Sequence, residues 1–180
     1  MNITIDHRPT LFGADYKIST PACIYLAKRS VFSWATKITI IGPGEKLAAR
    51  ILGSFSFLRS KYRFEFPDGQ IYRFECEKLW KGVFVCENLN EKFQLYSHKG
   101  LNYSIFQNDR QIASFAGNSV QLGASHYDVL IDDSANVVLI SCMVLAIAES
   151  NDYDSAGRVT YDFGNLGPED RKFDRSWTPN

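Results

Sequence analysis

Two arginines are the residues of this 180-residue chain whose spacing points most directly to chemistry. The runs Tyr62 to Phe66 and Gln70 to Cys76 flank Pro67-Asp68-Gly69, a tight hairpin signal. Folding at that loop faces Phe64 with Tyr72 and Tyr62 with Phe74 on one side, so the aromatic residues turn inward. The period of two then sets Arg63 opposite Arg73, Lys61 opposite Glu75 and Arg59 opposite Glu77 on the outer side. Two of those outer pairs are complementary. Arg63 against Arg73 is a like-charge contact that costs stability unless an anion, or a neighbouring carboxylate such as Glu65, relieves it. Arg59, Lys61, Arg63 and Arg73 are therefore the candidate anion-binding residues, with Arg50, Lys78 and Lys81 expected close by. A solvated, self-neutralising face is the plainer reading of the same charges.

Other residues offer less. Asp152 and Asp154, followed by Gly157, match positions one, three and six of a calcium loop, but Ala156 stands at position five and no carboxylate at position twelve. They remain weak metal candidates at the end of a helix. Asp128, Asp132 and Asp133 cluster where a helix is about to start, and serve capping and the helix dipole there. His7 falls in a lead-in, His98 in a turn with Lys99-Gly100 and His126 near the helix approach; no pair has ligand spacing. The serines lack a nucleophile-elbow context, no glycine-rich phosphate loop is present, and Cys23, Cys76, Cys86 and Cys142 show no CxxC spacing. The expectation is a protein with reduced core thiols, no resident metal or cofactor, and no enzymatic activity.

The elements that position these residues are dominated by Asn136 to Glu149, the one long apolar run. Between Val137 and Ala148 only Ser141 carries an obligatory polar group, and a helical Ser returns its hydroxyl to the carbonyl four residues back. A helix of roughly 18 Å with no polar face is too short for a bilayer and must be buried in protein. Short β-branched and aromatic runs precede it from Tyr16 to Ile131, about twelve of them at meander spacing. A helix with no wet side cannot lie on the outside of a sheet, and about ten to twelve strands enclose a lumen wide enough for one. The predicted fold is mainly β: a closed twelve-stranded antiparallel barrel around a central buried helix. Its predicted organisation is a lead-in over 1–15 with a short edge strand at Ile3 to Ile5, the barrel over 16–150 with its helix at about 134–150, and a polar, acidic tail over 151–180 that is either disordered or lies as an arm across the barrel.

The run Ser125-His-Tyr-Asp-Val-Leu-Ile-Asp, the apolar helix and Glu149-Ser-Asn-Asp together resemble the C-terminal end of the tubby-like superfamily, and within it the LURP-one-related proteins and phospholipid scramblases. The likeness covers roughly residues 12 to 150, including the Gly44-Glu-Lys-Leu-Ala-Ala-Arg segment and the Phe106-Gln-Asn-Asp-Arg-Gln-Ile-Ala turn. It implies a twelve-stranded barrel around a central helix. Tubby domains bind phosphoinositides, scramblases respond to calcium at membranes, and LURP-one-related proteins act in defence. The scramblase cysteine cluster and Pro-rich arm are missing here, which weighs against scrambling. Balanced charge, 20 basic against 20 acidic residues, gives no field to draw the protein to nucleic acid. The start, Met-Asn-Ile-Thr-Ile-Asp, has no basic-then-apolar pattern, so a cytoplasmic location, peripheral to a membrane at most, is expected. The expected function is a binding or tethering module for anionic phospholipid headgroups such as phosphoinositides; a protein-interaction module without a lipid ligand is the alternative.

Overall fold

The computed structural model describes residues 1–10, 13–30, 36–54, 61–78, 82–120, 124–155 and 170–179, with the backbone alone at 9–10, 13–14, 118–120, 124–125 and 151–155. The strands are β1 (Asn2–Thr10), β2 (Gly13–Ser19), β3 (Ile24–Arg29), β4 (Lys37–Ile41), β5 (Leu47–Ser54), β6 (Lys61–Glu65), β7 (Ile71–Lys78), β8 (Val83–Glu87), β9 (Lys92–His98), β10 (Asn102–Gln107), β11 (Arg110–Val120) and β12 (Ala124–Ile131). Each pairs antiparallel with the next, and β12 returns to β1 through Asn2↔Leu130 to Asp6↔His126, so the twelve strands close into a barrel. The helix α1 (Val137–Ser155) follows β12 and packs against β5 and β6.

The sequence pattern explains both layers. Alternate residues of the strands point into the lumen, among them Ile5, Ile18, Ile40, Ile51, Phe64 and Val129, each almost fully buried. On α1 every side chain from Leu139 to Ala148 is buried, so no side of the helix meets water. Fully burying each Leu, Ile, Val or Met there contributes about 1.5–3 kcal/mol relative to leaving it exposed. Ser141 donates its hydroxyl to the Val137 carbonyl at 2.8 Å, which satisfies the one polar group on the buried stretch. Small residues give the helix room: Ala27, Ala49 and Ala113 face it from three strands. At its C-terminal end the lumen becomes polar. Glu149 is buried, accepts a hydrogen bond from the Tyr16 hydroxyl at 2.8 Å and pairs with Arg29 at 3.2 Å, while the Tyr62 and Ser150 hydroxyls meet at 3.2 Å. A buried carboxylate is tolerable only with such partners.

Four expectations are corrected. Residues 1–15 are not a lead-in: Asn2–Thr10 is a full strand that supplies the barrel's seam, because Ile3 and Ile5 need the lumen and β12 needs a neighbour. The twelve expected runs include Gln111 to Phe115 and Ser119 to Leu122 as two strands, but β11 runs unbroken from Arg110 to Val120 through Gly117, where a Cβ would come within 3.1 Å of the Tyr127 ring, and Leu122 lies outside the described residues. The helix is capped by Asn136, whose side-chain oxygen accepts from the Val138 and Leu139 amides at 3.0 and 3.1 Å. Asp132 instead holds the preceding turn, accepting from the Ser134 amide and hydroxyl and from Arg110, and those hydrogen bonds, Ser134 first, lower its pKa to about 2. Lastly, α1 continues to Ser155, beyond the expected end at 150.

A second, smaller apolar cluster lies outside the barrel. Val83, Tyr96 and Phe106 face away from the lumen yet are buried, and residues 170–173 lie beside them. Part of the expected tail is therefore an arm across the barrel.

Leu139→Ala leaves a cavity in the lumen and is expected to cost about 2–5 kcal/mol. Leu139→Asp, which puts a carboxylate among apolar side chains, is expected to abolish cooperative folding. Thermal melts followed by near-ultraviolet circular dichroism check both, and an unchanged midpoint for the Asp variant would place the helix outside the core.

Candidate functional site

The β6–β7 hairpin has the register read from its sequence. Gly69 closes the loop at φ 87°, a conformation that favours glycine, and its amide donates to the Phe66 carbonyl at 3.1 Å. Asp68 accepts from the Gln70 amide at 3.0 Å and locks the turn. From there the pairs run Glu65↔Ile71, Phe64↔Tyr72, Arg63↔Arg73, Tyr62↔Phe74 and Lys61↔Glu75. On the inner side Phe64 stacks on Phe74 at 5.6 Å, and Tyr72 donates its hydroxyl to Glu91. Burial first, and the Glu91 carboxylate second, push that hydroxyl's pKa up, so it stays protonated.

On the outer side two carboxylates meet cations closely. Lys61 pairs with Glu75 at 2.9 Å and Arg63 with Glu65 at 2.7 Å. Glu87, directly across from Arg73 on β8, reaches Lys92 at a loose 3.9 Å. Arg73 makes no ion pair among the described residues. Lys61, Arg63 and Arg73, with Glu75 and Glu87, line a surface depression of about 570 Å³ across β5 to β8, whose floor includes Leu52 and Val85. Of the three cations that line it, Arg73 is the one with no ion pair among the described residues, although Glu87 faces it in register. The backbone therefore brings Lys61, Arg63 and Arg73 together. Arg59 and Lys81 lie outside the described residues, and Lys78 points elsewhere, to Asp170 at 2.7 Å.

The remaining candidates separate. Asp152 and Asp154 sit in the last turns of α1; their side chains, and Gly157, lie outside the described residues. No group of three or more His, Cys, Asp or Glu residues could hold a metal among the described residues. Asp128 belongs to His126, not to a cap. His126 contacts Asp6 through Nδ1 at 2.6 Å and Asp128 through Nε2 at 3.2 Å, so both ring nitrogens are taken by carboxylates and neither is open as a general base. His7 faces the lumen stacked on Tyr16 at 4.9 Å. His98 is at the end of β9, not in a turn, and is buried under the C-terminal segment with Nε2 2.6 Å from the Ser104 hydroxyl. Cys76, Cys86 and Cys142 are buried and Cys23 is half-buried, and none of the four is in a disulfide. Burial pushes the Cys86 and Cys142 thiols well up, which keeps them neutral and unreactive.

Among the described residues no helix is long and apolar enough to cross a membrane. No family model matches the chain, and neither the curated proteins nor the solved structures contain a match.

His126 makes a pH prediction. Its hydrogen bond to Asp6, then that to Asp128, raise its pKa above the ordinary 6.5. The folded state therefore binds this proton more tightly than the unfolded chain does. The stability gained is fully present below pH 6.5 and is lost as pH rises through the raised folded value. His126→Gln is expected to flatten that part of the profile in melting curves taken across the range.

Proposed function

We propose that this chain is a non-catalytic binding or tethering module of tubby-like architecture, and that the outer face of β5 to β8 takes the headgroup of an anionic phospholipid, of the phosphoinositide class. The observation that carries the proposal is Arg73. It stands opposite Arg63, on the rim of a depression, with the nearby carboxylates drawn to other cations. A phosphate between the two guanidiniums would accept bidentate hydrogen bonds from both and remove their mutual repulsion. Lys61 completes the cationic side of the same rim. Twelve strands closed around one apolar helix support the tubby-like reading, because that arrangement is what the likeness in residues 12 to 150 implies. The protein would then act in the cytoplasm as a peripheral membrane protein, held by charge at the surface and inserting nothing into the bilayer.

The test is flotation with liposomes containing phosphatidylinositol phosphates at low ionic strength. The parent is expected to float and to lose binding steeply as salt is added, since exposed charges are screened over about 10 Å at 0.1 M salt. Arg63→Gln with Arg73→Gln is expected to abolish flotation with a melting midpoint equal to the parent's or slightly higher, because two like charges are no longer held together. A parent that stays at the bottom of the gradient, or a double variant that floats as well as the parent, rejects the lipid reading.

A further inference from the structure

The outer surfaces of neighbouring strands differ in kind. On β6 and β7 the outward residues, Ile71 apart, are charged, whereas on β8, β9 and β10 they include Val83, Val85, Tyr96, His98 and Phe106, all buried although they point away from the lumen. The C-terminal segment lies over this face and is gripped residue by residue. Asp170 meets Lys78 at 2.7 Å. Arg171 donates to Asp109 at 2.6 Å, with its guanidinium 4.0 Å from the Phe106 ring centre and 5.5 Å from that of Tyr96. Phe173 sets its ring 5.1 Å from His98. Arg171 and Phe173 are half-buried while Lys172 and Asp174 are exposed, the period of an extended peptide that offers one side to a groove. Past it, Asp174 accepts from the Ser176 amide and hydroxyl and turns the chain.

We propose that this face is a peptide-recognition groove for the motif acidic–Arg–any–aromatic, filled in this chain by its own Asp170–Phe173 and open to the same motif on a partner protein. Three successive subsites each read one chemical class: Lys78 a carboxylate, the Phe106–Tyr96 pair with Asp109 a guanidinium, and His98 an aromatic ring. A guanidinium between aromatic faces and beside a carboxylate is the arrangement that selects Arg over Lys. The seat is built for exchange. Asp109 is 84% exposed and Lys78 52%, so the ion pairs that fasten the segment are solvated and individually weak. Attachment to the same chain, which raises the local concentration of the motif, keeps it seated. Nothing in this proposal depends on the lipid reading, since Arg63 and Arg73 line the depression and none of Lys78, Tyr96, His98, Phe106 and Asp109 does.

The experiment uses the full chain with Arg171→Ala and Phe173→Ala, which empties the groove without touching it. A labelled peptide with the sequence of residues 168–179 is expected to bind this variant saturably and at least about ten-fold more tightly than the parent, whose own segment competes at high effective concentration. A peptide keeping only Asp-Arg-x-Phe in a Gly/Ser sequence is expected to bind comparably. Asp109→Lys in the emptied variant, at an exposed position, is expected to remove binding. Equal binding to parent and variant, no binding by a variant that still melts cooperatively, or binding that survives Asp109→Lys overturns the proposal. Loss of cooperative melting in the double variant also overturns it, because the segment is then a structural part of the barrel. A parent that sediments as a dimer beside a monomeric double variant assigns the seat to a second copy of this chain instead of a partner.

Discussion

A helix that is apolar on every side can be dissolved only in protein, and the need to surround α1 governs the rest of this molecule. It requires a lumen wider than the side chains of about eight strands would leave, hence twelve strands, and it requires closure, since an open sheet would leave part of the helix wet. It also sets the sizes of the residues that face it, with alanines at β3, β5 and β11 and rings on β6 and β7. The polar exception obeys the same constraint. Glu149, at the end of the buried stretch, is accepted only because Arg29 and Tyr16 are placed to receive it.

Closure leaves function to the outside. With the lumen filled by α1 and no sheet edge free among the described strands, a ligand on the sheet would meet outward side chains, and these sort by strand. Charges stand opposite one another on β5 to β7, whereas β8 to β10 turn aromatic and aliphatic groups outward and hide them beneath Arg171 and Phe173. The Asn108-Asp109 turn shows one residue serving both local and distant needs: φ near 50° and 62° makes the tight hairpin between β10 and β11, and the same Asp109 carboxylate meets Arg171.

Much of the architecture was legible because two periods dominate it. Three-dimensional context adds nothing to the fact that Val137 to Ala148 has no polar face, and alternation with a Pro-Asp-Gly loop sets Arg63 against Arg73 before any coordinates are known. What escaped has a common cause, a residue whose role depends on a distant segment. Pro9 and the charges around it argue against a strand, yet β1 is held by β12 more than a hundred residues away. Gly117 resembles a turn residue in one dimension, but its missing Cβ makes room for the Tyr127 ring. Tyr96 and Phe106 look like ordinary core residues until their parity is compared with Leu95 and Ile105, which face the lumen. The signal for the outer groove was present as consecutive buried-type residues in β9 and β10, but its cover comes from residues 170–173.

Because Asn2 lies opposite Leu130, and α1 comes after both, the strand that closes the barrel and the helix that fills it leave the ribosome after the other eleven strands. Until then the lumen-facing side chains have no helix to pack on, and β1 has no β12 to pair with. Closing a loop of that length adds only a modest entropic cost, but pairings so distant in sequence form slowly, and an open edge beside an apolar face is the kind of surface that aggregates or is captured by chaperones. Birth order thus works against this topology, and the molecule matures only after translation has passed its helix.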